Sequence, residues 1–275
     1  MSTYRIAKQQ SITPRHARRV YRRYRDVKPY LIDTIRLQKP GRKQRSIDDY
    51  ERHLVIKTYE KMPVCATKME KYHELLGIPR MPHNRIHRIL MDEGIAKPLR
   101  KKIKRKKWVR WQRRHSNSLW HTDYSDAEDG KQVIAYIDDA SRKVLSYGKF
   151  DNATTDNALS VLDKAIKKNG TPKQVMTDHG AQFCADEEKI YRFREALRQR
   201  GIEHILAPVK KPQTNGKIER WFGSMDRLYK RFEYNLDKLV ECYNNMPHLS
   251  LDTTPNIAYI NKMSKRTVES IMIKR

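Results

Sequence analysis

The sequence predicts an α/β protein: a mixed-sheet core fills its second half, preceded by all-α helix-turn-helix modules. Hydrophobic spacing changes at Leu119, from helical stripes to short strand-like runs alternating with helices. Capping residues punctuate the first hundred positions. Charge divides unequally: residues 1–120 carry 33 Lys and Arg against 10 Asp and Glu, leaving 26 against 22 for the rest of a chain whose formal net charge is +27. Such an excess attracts polyanions whatever the fold, and here it sits ahead of the core.

The elements follow in order. Over residues 1–44 a first helix near Tyr4–Gln10 precedes a turn, and a second helix starts at Thr13 as N-cap with Pro14 in its first turn. Ala17, Val20 and Tyr21 are expected to face inward there. Arg15, Arg18, Arg19, Arg22 and Arg23 are left to meet a phosphate backbone or groove. A second unit, 45–96, opens on the capping sequence Ser46-Ile-Asp-Asp49. It continues to about Glu60, then through a helix over 65–77 closed by Gly77 and a third over 83–94 closed by Gly94. Arg85 and Arg88 are its expected DNA contacts, although Ile86, Ile89 and Leu90 would serve a purely structural module equally well. His83 and His87 have helical i, i+4 spacing, but no Cys-x-x-Cys follows, so a helix surface is favoured over a zinc site.

Residues 97–118 read as a basic linker. Eleven of the eighteen positions from Lys97 to Arg114 are Lys or Arg and none is acidic, with Trp108 and Trp111 interleaved. Lys101, Lys102 and Arg105 are expected to neutralise phosphate. From 119 to 260 the order is three strands, then helix, strand, helix, strand, helix. The strands are 131–137, 144–150, 174–177 and 202–206, and the helices include 156–168 and 187–200. A basic tail, 261–275, completes the chain.

Cys65, Cys184 and Cys242 are too few and too scattered for a disulfide framework, which points to a reducing interior. No run approaches a membrane span, so the expected location is cytoplasmic and nucleoid-associated, in a prokaryotic host.

Three acids carry the chemistry. Asp123 stands in Leu119-Trp-His-Thr-Asp-Tyr-Ser125, Asp178 in Val175-Met-Thr-Asp-His-Gly180, and Glu219 in Pro212-Gln-Thr-Asn-Gly-Lys-Ile-Glu-Arg-Trp221. The first two are expected at strand ends and the third one turn into a helix. Carboxylate oxygens are the hard donors that magnesium and manganese prefer. Asp126, Glu128, Asp129, Asp138 and Asp139 are expected to be turn or surface residues.

Asp178-His-Gly-Ala-Gln-Phe183 followed by Pro212-Gln-Thr-Asn-Gly-Lys-Ile-Glu-Arg220, and then Tyr243-Asn-Asn-Met-Pro-His-Leu-Ser-Leu-Asp-Thr-Thr-Pro255, resembles the catalytic region of the DDE recombinases, the retroviral-type integrases and insertion-sequence transposases. His179 departs from the family's usual Asn. The stretch from Asp178 to Glu219 is a few residues longer than is common, with the excess near Ala185–Lys189. The resemblance implies an RNase H-like core whose first and fourth strands lie side by side, with Asp123, Asp178 and Glu219 as catalytic residues and ligands of two Mg²⁺ or Mn²⁺ ions. It also implies end cleavage and strand transfer on double-stranded DNA, element ends and target, by a homo-oligomer assembled on that DNA. Lys210, Lys211, Gln213, Asn215, Lys217 and Arg220 are the expected DNA contacts beside Glu219. Two other readings remain open: a catalytically inactive DNA-binding relative, and a metal-dependent nuclease without strand transfer. A tyrosine or serine recombinase fits less well, since no Arg-His-Arg constellation accompanies the tyrosines.

Overall fold

A computed structural model describes residues 3–26, 45–97, 111–184, 187–208 and 215–264. The chain divides into two units, Met1–Ser46 and Ile47–Arg275.

The first unit holds α1 (Thr3–Gln9) and α2 (Pro14–Tyr24). The Thr13 hydroxyl accepts the His16 N–H at 3.3 Å and Pro14 fills the first turn, as the sequence predicts. Ala7 and Ala17 are buried. Val20 and Tyr21 are not: they are 38% and 57% exposed, so the expected inward stripe of α2 reduces to Ala17 among the described residues.

The second unit begins with three helices, α3 (Asp49–Lys61), α4 (Ala66–Leu75) and α5 (His83–Asp92). Asp48 and Glu51 form a reciprocal capping box at the start of α3. Gly77, at φ +68°, follows the end of α4 in the left-handed region that glycine enters without a Cβ penalty. Val55, Met69, Ile86, Ile89 and Leu90 make a core that also takes in Met246, from later in the chain, with Leu228 and Cys242 packed against it. Arg231 donates to the Tyr59 carbonyl and lies 4.7 Å over its ring. This helical module is therefore fastened to the sheet domain by both apolar and polar contacts.

The sheet domain contains β1 (Trp120–Asp126), β2 (Gln132–Asp138), β3 (Val144–Phe150), α6 (Thr155–Asn169), β4 (Gln174–Thr177), α7 (Ala181–Cys184), α8 (Glu187–Gln199), β5 (Glu203–Leu206), α9 (Gly216–Leu228), α10 (Leu236–Asn245) and α11 (Pro255–Asn261). Strand order is β3-β2-β1-β4-β5. The first three strands pair antiparallel, and β4 and β5 add in parallel. This is the expected RNase H-like arrangement, with the first and fourth strands adjacent. Successive residues of β2 serve opposite faces, as a strand's period of two requires. Ile134 and Tyr136 join a core with α6 and α8, while Val133, Ala135 and Ile137 join one with α9 and α10.

Residues 111–118 belong to this domain rather than to a solvated linker. Asn117 is buried, receives the Trp120 indole N–H and the Tyr259 hydroxyl on its side-chain oxygen, and donates its amide to the Asn169 carbonyl. These bonds tie the chain's entry to β1, the end of α6 and α11. The basic stretch over 98–110 and the tail beyond 264 lie outside the described residues.

Candidate active site

Asp123 does not end its strand, as the sequence suggested, but sits midway along β1, which runs on to Asp126. In the parallel pair β1 and β4, Trp120 faces Val175 and His121 faces Met176. Two further steps in that register set Asp123 opposite Asp178, the residue that follows β4. Two chain-distant carboxylates thus meet because a central strand pairs with the first strand after a crossover helix. Glu219 lies in the first turn of α9, whose apolar stripe of Ile218, Trp221, Phe222 and Met225 is buried against the α9–α10 face of the sheet.

Each aspartate is oriented by its own neighbourhood. Asp123 accepts the Tyr124 N–H on Oδ1 at 2.8 Å and the Asn215 side-chain amide on Oδ2 at 3.0 Å. Asp178 Oδ1 accepts the N–H of Gly180 at 2.8 Å. A Cβ at residue 180 would lie 2.9 Å from that same oxygen, so the turn is built for glycine. His179, at the position where the sequence pattern departs, donates or accepts nothing from Asp178; its Nε2 bonds the Ala207 carbonyl at 2.8 Å, tying the turn to the end of β5.

Electrostatics join the three acids. Burial, then the Asp178 charge, and more weakly Glu219, push the Asp123 carboxyl up to about 7. A carboxylate raised by desolvation and like charges is a site where bound positive charge is favourable, and all three side chains supply hard oxygen donors suited to magnesium or manganese. Among the described residues no three His, Cys, Asp or Glu side chains are gathered closely enough to hold an ion as they stand. The donor chemistry and the shared field fit such a metal. The Asn215 amide on Asp123 Oδ2 occupies part of the coordinating edge.

Several expected roles change. Asn215 is buried and bonds Asp123 rather than offering itself to DNA, and its own carbonyl oxygen has no partner. Lys217 is only 12% exposed; its ammonium pairs with Asp139 and lies 4.2 Å over the Trp111 ring, so its charge is spent inside the protein. Asp138 and Asp139 are fully buried, not surface residues. Asp138 accepts from the N–H of Asn117 and from the N–H and hydroxyl of Ser141. Asp139 accepts from His121 Nε2 at 2.8 Å, from the Arg113 N–H at 2.7 Å and from Lys217. Burial opposes the Asp139 charge, yet these donors overcome it and hold the carboxyl well below its ordinary range. His121 is shifted down by its burial, so it donates Nε2–H as a neutral ring and leaves Nδ1 bare. Nothing in the sequence pattern distinguished Asp139 from its neighbours; the signal that existed was Lys217 two residues before Glu219.

The expected DNA contacts divide further. Arg15, Arg18, Arg19 and Arg22 line an open groove along α2. Arg220 is exposed on α9. Arg85 forms a two-point ion pair with the capping Glu51, and Arg88 lies 4.0 Å from Asp92. Lys101, Lys102, Arg105, Lys210, Lys211 and Gln213 lie outside the described residues.

The chain is similar to several known proteins. The integrase core domain family matches residues 113–212. Over 126 residues the chain is 32% identical to ORF3 of Spiroplasma virus SpV1-C74, described as an integrase, covering 42% of this chain and 34% of that protein. Over 162 residues it is 27% identical to a 39.2 kDa protein of insertion element IS476 from Xanthomonas euvesicatoria, covering 56% and 45% respectively. The matches thus span less than half the length of these relatives. Among solved structures, the HTLV-2 integrase catalytic core domain in complex with magnesium aligns over 52% of this chain and 96% of that one, at 20% identity and a TM-score of 0.42. The likeness of fold rests on the strand order and pairing described above.

Proposed function

We propose that the chain, whose residues 113–212 match the integrase core domain family, is a DDE transposase or integrase that recognises the ends of a mobile DNA element, cuts them and joins them to target DNA. The observation that carries the reading is the meeting of Asp123 with Asp178 across β1 and β4, under a field that Glu219 shares. In this reading Asp123, Asp178 and Glu219 hold two divalent ions, magnesium or manganese. The ions supply activation of an attacking oxygen and neutralisation of charge on the scissile phosphate.

The chain's own residues do the rest. Asn215 and the Tyr124 N–H orient Asp123, and the Gly180 N–H orients Asp178; a bound ion would take the place of the Asn215 amide on Asp123 Oδ2 and draw the three acids together. Arg220, exposed one residue beyond Glu219, grips the phosphate backbone beside the cut. Arg15, Arg18, Arg19 and Arg22 on α2 bind the element end, and the basic residues before the core add affinity that does not depend on sequence. Two ends must be joined to one target and each core has one acidic centre, so a homo-oligomer assembles on the DNA, in the cytoplasm of a prokaryotic host.

The test uses the full chain with duplexes made from the inverted repeats flanking its gene. In Mg²⁺ or Mn²⁺ it is expected to nick the duplex to a 3′-hydroxyl and transfer that end into a second duplex. Hydrolysis without transfer would reduce the reading to a nuclease, and end binding without either reaction would leave an inactive DNA-binding protein.

A further inference from the structure

The first turn of α9, which carries Glu219, is fixed by a buried polar clamp on the side away from that carboxylate. Lys217 and Glu219 are two residues apart on a helix, hence about 200° apart around its axis. His121 and Asp123 are two apart on β1, hence on one face of the sheet. Asp139, from the end of β2, binds both inner members: it accepts from His121 Nε2 at 2.8 Å and pairs with the Lys217 ammonium. Trp111 closes the outside, its ring 4.2 Å from Lys217 Nζ and 6.2 Å from the His121 ring centre.

We propose that Asp139, Lys217 and Trp111 are positioning residues that set the distance of Glu219 from Asp123. The apolar stripe of α9 fixes which face the helix buries, but apolar packing is nondirectional and permits sliding along the axis. A buried ion pair specifies one register, which is its best-attested use. The clamp is one step back along both elements from the acids themselves, so a shift at Lys217 is carried directly to Glu219. The inference rests on the role proposed for Glu219.

Hydrogen exchange on the full chain, read alongside the Mn²⁺ dependence of end cleavage, tests it. Lys217→Met and Trp111→Leu leave Asp139 bonded to His121 and the Arg113 N–H, and a urea melt of each variant separates a local change in α9 from a loss of fold. In K217M the amides of residues 218–221 are expected to exchange at least tenfold faster while those of β2 stay unchanged, and half-saturating Mn²⁺ is expected to rise tenfold with end binding unaltered. W111L should show the same pattern at about threefold. Lys217→Arg, which keeps the charge, should recover most of both effects. If K217M exchanges and responds to Mn²⁺ as wild type does, the clamp is overturned even where the acids prove essential. If exchange in α9 responds but the wild-type chain cuts no DNA in any divalent metal, the positioning stands and the proposed function fails.

Discussion

Asp123, half-buried on β1, and Asp139, fully buried just past the end of β2, are both aspartates, and their surroundings treat them in opposite ways. Asp139 is met by a lysine, a histidine N–H and a backbone N–H, and its proton is held off well below the usual range. Asp123 is met by one amide and one backbone N–H and faces two further acids, so its carboxyl rises to about 7. The first is a completed structural joint. The second is short of positive charge, and a deficit kept inside a folded protein marks a place where something else is bound. Residue type is the same in both, and the more deeply buried of the two is the one held ionised; the count of donors separates them.

The largest expected effect breaks the deficient side. Asp123→Asn, Asp178→Asn and Glu219→Gln should each lower cleavage and strand transfer by on the order of 10³-fold or more, the several kcal/mol of transition-state stabilisation a metal supplies. End binding, followed by fluorescence anisotropy, should change little, because the α2 arginines are untouched.

The completed side should break as a fold. Asp139→Asn removes one partner of a buried pair and leaves Lys217 and His121 facing a neutral amide, which should cost about 3 kcal/mol in urea unfolding. The same change at Asp151, an exposed acid paired with Lys131, should cost under about 1 kcal/mol.

The two acids should also differ in the sign of their pH effect on stability. The unfolded Asp123 loses its proton near the ordinary 3.8, while the folded one keeps it to about 7. Ionisation in the folded state therefore removes stability as pH rises from about 4 to 7, and the loss is complete above 7. In metal-free buffer Asp123→Asn should stabilise the protein by up to about 3 kcal/mol at pH 8, once a lost hydrogen bond is deducted, and should destabilise it by about 1 kcal/mol near pH 4, where only that bond is lost. Asp139, whose carboxyl is depressed, gives the reverse: the stability it contributes is present above the ordinary 3.8 and is lost as pH falls below it. Thermal melts of wild type and both variants across pH 2 to 8 check both signs.

The smallest effect concerns affinity. Replacing Arg18 and Arg19 together should flatten the slope of log affinity against log salt by about 1.8 and narrow the preference for end over random duplex.

Local chemistry made much of this molecule legible in advance. The Asp48–Glu51 capping box, the Thr13–Pro14 start and the glycines after α4 and α5 act within a few residues, so their elements lie where the sequence places them. Strand and helix periodicity located the sheet domain, and the motifs singled out three acids whose charges the fold brings within reach of one another. What stayed hidden depended on distant partners. Asp138 and Asp139 read as an ordinary turn because the groups that satisfy them come from residues 113–121, 141 and 217. Lys217 read as a DNA contact because a lysine beside a motif acid looks the same whether its charge points out or in. Val20 and Tyr21 had helical spacing for a buried stripe, but spacing says where a face is, not whether anything covers it.

Mn²⁺ binding to the full chain, followed by the electron paramagnetic resonance of the free ion at pH 8, tests the central claim most directly, since it asks about the acids without needing the right DNA. The account predicts that wild type depletes the free-ion signal, that Asp123→Asn, Asp178→Asn and Glu219→Gln each weaken binding at least tenfold, and that lowering the pH through 7 weakens wild-type binding as Asp123 takes up its proton. Wild-type affinity retained in all three variants would contradict it.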